Sequence, residues 1–214
     1  MSATVPFPSD DLTPREVATL AGVPVRTVEK AIETKVVAAK PMRCRLKGGS
    51  KRALGADAVV ILTALDRSGL GRLELKNKKA LAKAVREMWK VRASGGLGMV
   101  EFAPGAYLEL DKLAGPAAEA ARRYLAARNA HVVSDPDILG GTPVVRGTRV
   151  SVYALLGRVQ EGEKAQEIAE EHPGLTPEAV EAAVLYARTH PLRGKPSGRP
   201  WRREEIDRNE LPAS

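Results

Sequence analysis

The stretch Asp135-Pro-Asp-Ile-Leu-Gly-Gly-Thr-Pro-Val-Val-Arg-Gly-Thr-Arg149 crowds two prolines, three glycines and two arginines into fifteen residues, and no helix can run through it. Pro fixes φ and Gly supplies backbone conformations closed to other residues, so Asp-Pro and Gly-Gly-Thr-Pro form successive turns. Val144, Val145 and Val150, on either side of Arg146-Gly147-Thr148-Arg149, suit a short strand entering a helix capped by Ser151. Beyond it the apolar spacing predicts three helices: 151–161, ended by Gly162; 163–171; and 176–190, with Thr176 as N-cap and Pro177 as first helical residue.

The chemistry of this stretch is structural before it is catalytic. Asp135 and Asp137 have the groups of metal ligands or acid/base catalysts, but in turns rich in Pro and Gly an Asp commonly bonds its own backbone. Arg146 and Arg149 are expected to lock the turns by bonding Asp135, Asp137 or carbonyls. Gly140-Gly141-Thr142 and Gly147-Thr148 lack the Walker spacing and its lysine. Asp135, Gly140, Gly141, Pro143, Arg146, Gly147 and Arg149 are therefore read as a structural signature. Cys44 is alone, and His131, His172 and His190 are scattered without zinc-ligand spacing. With no Ser/His/Asp set or activated Cys, neither enzymatic activity nor a metal or cofactor is expected.

The run from Val133 to Val150, followed by Leu155-Leu156, Glu167-Ile168, His172-Pro-Gly-Leu-Thr176 and Ala182-Ala-Val-Leu-Tyr-Ala187, closely resembles the signature of the bacterial domain of unknown function 433. The resemblance covers roughly His131 to Pro191. It implies an antitoxin of the VapB type, paired with a PIN-like toxin.

The charge is divided unevenly. Residues 1–114 carry 20 Lys+Arg against 12 Asp+Glu, whereas residues 115–214 carry 14 of each, so the chain's net +8 lies in its N-terminal half. A basic half joined to a neutral one places a polyanion contact on the former. Within 131–190 the balance is 5 against 9, which is repulsive toward phosphate and suits a protein partner, unless Arg146, Arg149, Arg158 and Arg188 gather on one face. No stretch approaches the roughly 18 apolar residues of a membrane helix and the start lacks a signal peptide's pattern, so a cytoplasmic protein is expected.

Leu12-Thr-Pro-Arg-Glu16 opens a helix, with Thr13 as N-cap, Pro14 at the first helical position and Glu16 closing a capping box. Val17, Leu20 and Ala21 form its apolar face and Gly22 stops it. A second helix begins near Pro24 with Val25, Val28 and Ile32 inward, and two short helices across a tight turn make a helix-turn-helix. Arg26, Thr27, Glu29, Lys30 and Glu33 face outward; of these Arg26, Thr27 and Lys30 can meet phosphates or base edges in a major groove. A solvated helix face is the plain alternative. Lys40 to Leu54 then alternates Met42, Cys44 and Leu46 with Arg43, Arg45 and Lys47, turns at Gly48-Gly49, and continues with Lys51 and Arg52: a hairpin with one basic face. A basic hairpin in this position resembles the wing of MerR-like winged-helix proteins, which implies a joint grip of wing and helix on duplex DNA, weakened steeply by salt. A helix over 55–69 is expected to cover the hairpin with Val59, Leu62 and Leu65, and Asn77 to cap a helix bearing Leu81, Val85, Met88 and Trp89.

Ser94-Gly95-Gly96 suits a hinge, Met99 to Leu110 a second hairpin around Pro104-Gly105, and Ala117 to Arg128 a connecting helix with Arg122, Arg123 and Arg128 outward. The tail is rich in Pro, Gly and charge, a composition of disorder. Arg199, Trp201, Arg202, Arg203 and Ile206 have the composition of a binding segment, and the resemblance implies an antitoxin tail that covers an acidic nuclease site. A solubilising terminus is the alternative.

The expected fold is mainly α with short β-hairpins: an N-terminal arm (1–10), a winged helix-turn-helix (11–93), a hairpin and connecting helix (94–130), a strand-and-three-helix domain resembling a second helix-turn-helix (131–190), and a tail that binds toxin (191–214). The expected function is a homodimeric antitoxin that binds its own promoter DNA and neutralises a PIN-like ribonuclease toxin. A MerR-like regulator without a toxin, whose C-terminal domain dimerises or senses a ligand, is the second expectation.

Overall fold

A computed structural model describes residues 11–42, 51–91 and 96–192. Thr13 opens α1 (Pro14–Ala21): its hydroxyl accepts from the Glu16 amide at 3.3 Å while Glu16 Oε2 accepts from the Thr13 amide at 2.6 Å, the reciprocal cap that Thr-x-x-Glu predicts. Gly22, at φ 69°, ends the helix, and the Val23 amide reaches back to Ala18 O. α2 (Val25–Glu33) then turns Val28 and Ala31 into the core. Val25, expected inward, is instead exposed. Helical side chains lean toward the N-terminus, so at the first position Val25 overhangs the end of the helix rather than the core.

β1 (Ala39–Met42) and β2 (Lys51–Leu54) pair antiparallel from Ala39↔Leu54 to Met42↔Lys51, and Leu12 joins the end of this ribbon by two 2.8 Å backbone bonds with Leu54. α3 (Asp57–Arg67) follows the hairpin directly. Every residue from Ala58 to Leu65 is buried, because α1, α4 (Leu75–Val91) and α5 (Leu110–His131) surround it, the situation of a helix apolar on all sides. Asn77 does not cap α4: Glu74 O already accepts from the Asn77 and Lys78 amides, which places Asn77 inside the first turn. A second hairpin of β3 (Met99–Ala103) and β4 (Ala106–Glu109) turns at Gly105, φ 74°, and packs Val100 into the core shared by α3 and α5. Asp111, in the first turn of α5, accepts from the Leu97 and Gly98 amides and so fixes the approach to β3.

The connecting helix is longer than expected, 22 residues with Pro116 inside it, and one of its three arginines corrects the expectation. Arg128 is buried rather than outward, at 3% exposure. Past α5 the chain forms β5 (Val132–Val133), which pairs with β6 (Val144–Val145) across the signature turns, then α6 (Val152–Gln160), α7 (Ala165–Glu171) and α8 (Pro177–Thr189). Ser151 and Thr176 cap α6 and α8 through bonds from the Ala154 and Ala179 amides. Two cores result. The first gathers Leu12, Val17, Val28, Ile61, Leu81 and Leu110; the second gathers Val132, Leu155, Ile168 and Val180. α8 faces both, since it packs on α6 and α7 and also against α5 and α1, with Leu185 on the first core. The described residues are thus mainly helical with three short antiparallel strand pairs, and none of these helices is long and apolar enough to cross a membrane.

Candidate functional site

On α2 the side chains of Arg26, Thr27 and Lys30 are all exposed, with Glu29 and Glu33 beside them. Arg26 and Lys30 are four residues apart and Thr27 and Lys30 three, so the three project from one stripe of the helix. Thr27 and Lys30 also form the rim of a groove of about 420 Å³ whose floor is Ala31, Val36, Leu62 and Leu65. Arg52 is exposed on β2, opposite Pro41. Arg43, Arg45 and Lys47 and the side chain of Lys51 lie outside the described residues, as do Arg199, Trp201, Arg202, Arg203 and Ile206.

The signature is held by its own backbone. Asp135 Oδ1 accepts from the Asp137 amide at 3.0 Å, and Asp135 O accepts from the Ile138 amide. Ser134 Oγ donates to Gly141 O at 2.6 Å, and Thr148 Oγ1 both donates to Val145 O and accepts from the Val150 amide. Three successive residues, Leu139, Gly140 and Gly141, take positive φ (49°, 62° and 84°), as does Gly147 at 76°. Glycine makes three of these four inexpensive; Leu139 is the exception and is exposed. Pro143 O accepts from the Val152 amide, so the turns deliver the chain to α6.

Arg146 bonds carbonyls rather than either aspartate. Its Nε donates to Ala130 O at 2.7 Å, Nη2 to Asn129 O at 3.3 Å and its backbone amide to His131 O at 2.7 Å. Arg149 and Arg188 are exposed. Arg158 is engaged by Glu163 and Glu171 and lies 3.2 Å from His172 Nε2; it holds the Glu163 carboxyl below the ordinary carboxylate value. Two of the four arginines of this domain, Arg146 and Arg158, therefore have partners of their own.

A buried polar cluster, which the sequence pattern did not disclose, sits where α1, α5 and α8 meet. Glu16 Oε1 accepts from Tyr124 Oη at 2.6 Å and from Arg128 Nη1 at 3.0 Å, and Arg128 Nη1 also donates to Asp11 O at 3.0 Å. Glu16 thus closes the α1 cap with one oxygen and binds α5 with the other. The available signal was weak: Tyr124 and Arg128 are four apart on one helix face, but their acid partner is more than a hundred residues away.

Burial first, and the Glu16 carboxylate second, push the Tyr124 hydroxyl well above its ordinary value of 10.0; burial does the same to Tyr186 on α8. In the unfolded chain both ionise near 10.0 while the fold keeps them neutral. Their contribution to stability is therefore complete below that pH and is lost as pH rises beyond it. The denaturation midpoint should hold steady from neutral pH and fall in the alkaline range, and Tyr124→Phe should shallow that fall. An alkaline limb identical in the variant would remove Tyr124 as its origin.

The chain is similar to known proteins in three ways. Residues 132–187 match the family model described as Protein of unknown function (DUF433). A curated relative, the uncharacterized protein y4eO of Sinorhizobium fredii (strain NBRC 101917 / NGR234), is 32% identical over 209 residues, covering 91% of this chain and 88% of that protein. A solved structure, Rv2018 from Mycobacterium tuberculosis, is similar at 20% identity with a TM-score of 0.38, covering 84% of this chain and 99% of that one.

Proposed function

This chain belongs to the family of the uncharacterized Sinorhizobium fredii protein y4eO and carries a DUF433 domain at residues 132–187, and we propose that it is a DNA-binding antitoxin of a type II pair. In this reading α1 and α2 are a helix-turn-helix, α2 enters the major groove, and the ribbon of β1 and β2 is the wing. The observation that carries it is the exposed stripe of Arg26, Thr27 and Lys30 on the second of two short helices closed by a glycine turn. Arg26 and Lys30 neutralise phosphates and Thr27 meets phosphate or base edges. The basic residues 43–52 add wing contacts, and a homodimer reads two half-sites of its own promoter.

The toxin half of the proposal is supported by the likeness of the signature to antitoxins of the VapB type, whose partners are PIN-like ribonucleases. Arg199, Trp201, Arg202, Arg203 and Ile206 then occupy the toxin, the arginines pairing with its carboxylates.

A gel shift on the upstream DNA tests the first half. Arg26→Ala combined with Arg43→Ala and Arg45→Ala is expected to weaken binding by about tenfold or more at moderate salt, and to lower the slope of log affinity against log salt by roughly one for each phosphate no longer neutralised. Unchanged affinity would remove this face from the proposal. Co-purification with the product of the adjacent gene tests the second half: a chain ending at Pro191 should lose the toxin, and normal neutralisation by it would reject the tail's role.

A further inference from the structure

An α-helix leaves its last four carbonyls without helical partners. In α5 these are Arg128 O, Asn129 O, Ala130 O and His131 O. The Val132 amide takes the first, and Arg146 takes the other three, two with its guanidinium and one with its backbone amide. One signature arginine thus completes the terminus of the longest helix of the described chain, and its charge lies at the negative end of that helix's dipole. Gly147, at φ 76°, turns the chain immediately afterwards toward α6.

The same last turn carries Arg128, whose guanidinium is bonded to Glu16 and to Asp11 O. Glu16 in turn caps α1 through the Thr13 amide. Two sets of polar contacts, joined by the last turn of α5, therefore link the signature turn to the first turn of α1. We propose that Arg146 is a positioning residue for the N-terminal helix pair: by closing the end of α5 it keeps Arg128 seated on Glu16 and so fixes α1. This role is independent of whether that pair binds DNA, and its test does not use DNA.

Hydrogen exchange on the full chain gives the readout. Arg146→Ala is expected to speed exchange of the Thr13, Glu16 and Val17 amides and of the last turn of α5 by roughly tenfold, because local opening there becomes easier, while α6 and α7 keep their protection. Arg149→Ala, three residues away, should leave both segments unchanged. Arg146→Lys retains the charge and one donor group and should fall between wild type and alanine, which keeps the test open if the alanine variant does not fold. In a Glu16→Gln background, Arg146→Ala should add little further exchange at the Thr13, Glu16 and Val17 amides, since contacting members of one network are not additive. Faster exchange confined to α5, faster exchange spread evenly over the chain, or full additivity with Glu16→Gln would each overturn the proposal.

Discussion

Arg128→Ala is expected to lower stability by about 3–5 kcal/mol, which for a chain of this size is a fall in melting temperature of roughly 10 °C. The size follows from what the substitution leaves behind. Glu16 and Arg128 have side chains 1% and 3% exposed, so removing the guanidinium strands a carboxylate with only the Tyr124 hydroxyl and the Thr13 amide as donors. A buried ion pair adds little net stability over a well-packed apolar pair, because desolvation offsets the attraction, yet a single broken partner is costly. The double variant Glu16→Met with Arg128→Leu should therefore be more stable than Arg128→Ala alone. Thermal melts of the two variants and the wild type decide the matter. A loss under about 1 kcal/mol for Arg128→Ala, the range of a surface pair, would contradict the burial of this ion pair.

Leu155→Ala should cost about 2–5 kcal/mol, the transfer energy of the lost side chain plus the cavity it leaves. Leu155 is fully buried on α6, against α8, at the centre of the second core. The form of the melt is as informative as its midpoint. α8 also packs on α5 and α1, so loosening its α6 face should carry the first core down with it in one transition. Calorimetry of the variant should show one peak moved to lower temperature. Two separated peaks, with the upper one at the wild-type position, would mean that α8 does not link the cores.

The elements with a local signature were legible in the sequence. Thr13-Pro-Arg-Glu16, Ser151 and Thr176-Pro177 announce helix starts because a cap is a contact over three residues, and each forms as its side chain predicts. The outward stripe of α2 was legible for the same reason, since helical periodicity assigns it without any knowledge of neighbours. Where the outcome depended on distant partners, the pattern gave less. Arg128 looks like a solvent-facing arginine on an alanine-rich helix until Glu16 arrives from the other end of the chain. Asn77 resembles a cap, but Glu74 O has already accepted the first bonds of α4. For Arg146 the chemistry was readable and the address was not: carbonyl partners were among those expected, but not that they close the helix preceding the signature.

The completed end of α5 also bears on how the protein is made. Residues 110–131 leave the ribosome before Arg146 does, so three carbonyls of the helix that underlies the N-terminal core wait for a residue in the next domain. The last turn of α5 therefore gains these bonds only after Arg146 has been made. The same dependence limits exchange of parts between genes: a junction placed between His131 and Arg146 separates a helix from its own terminus, whereas one that keeps both together moves an intact unit.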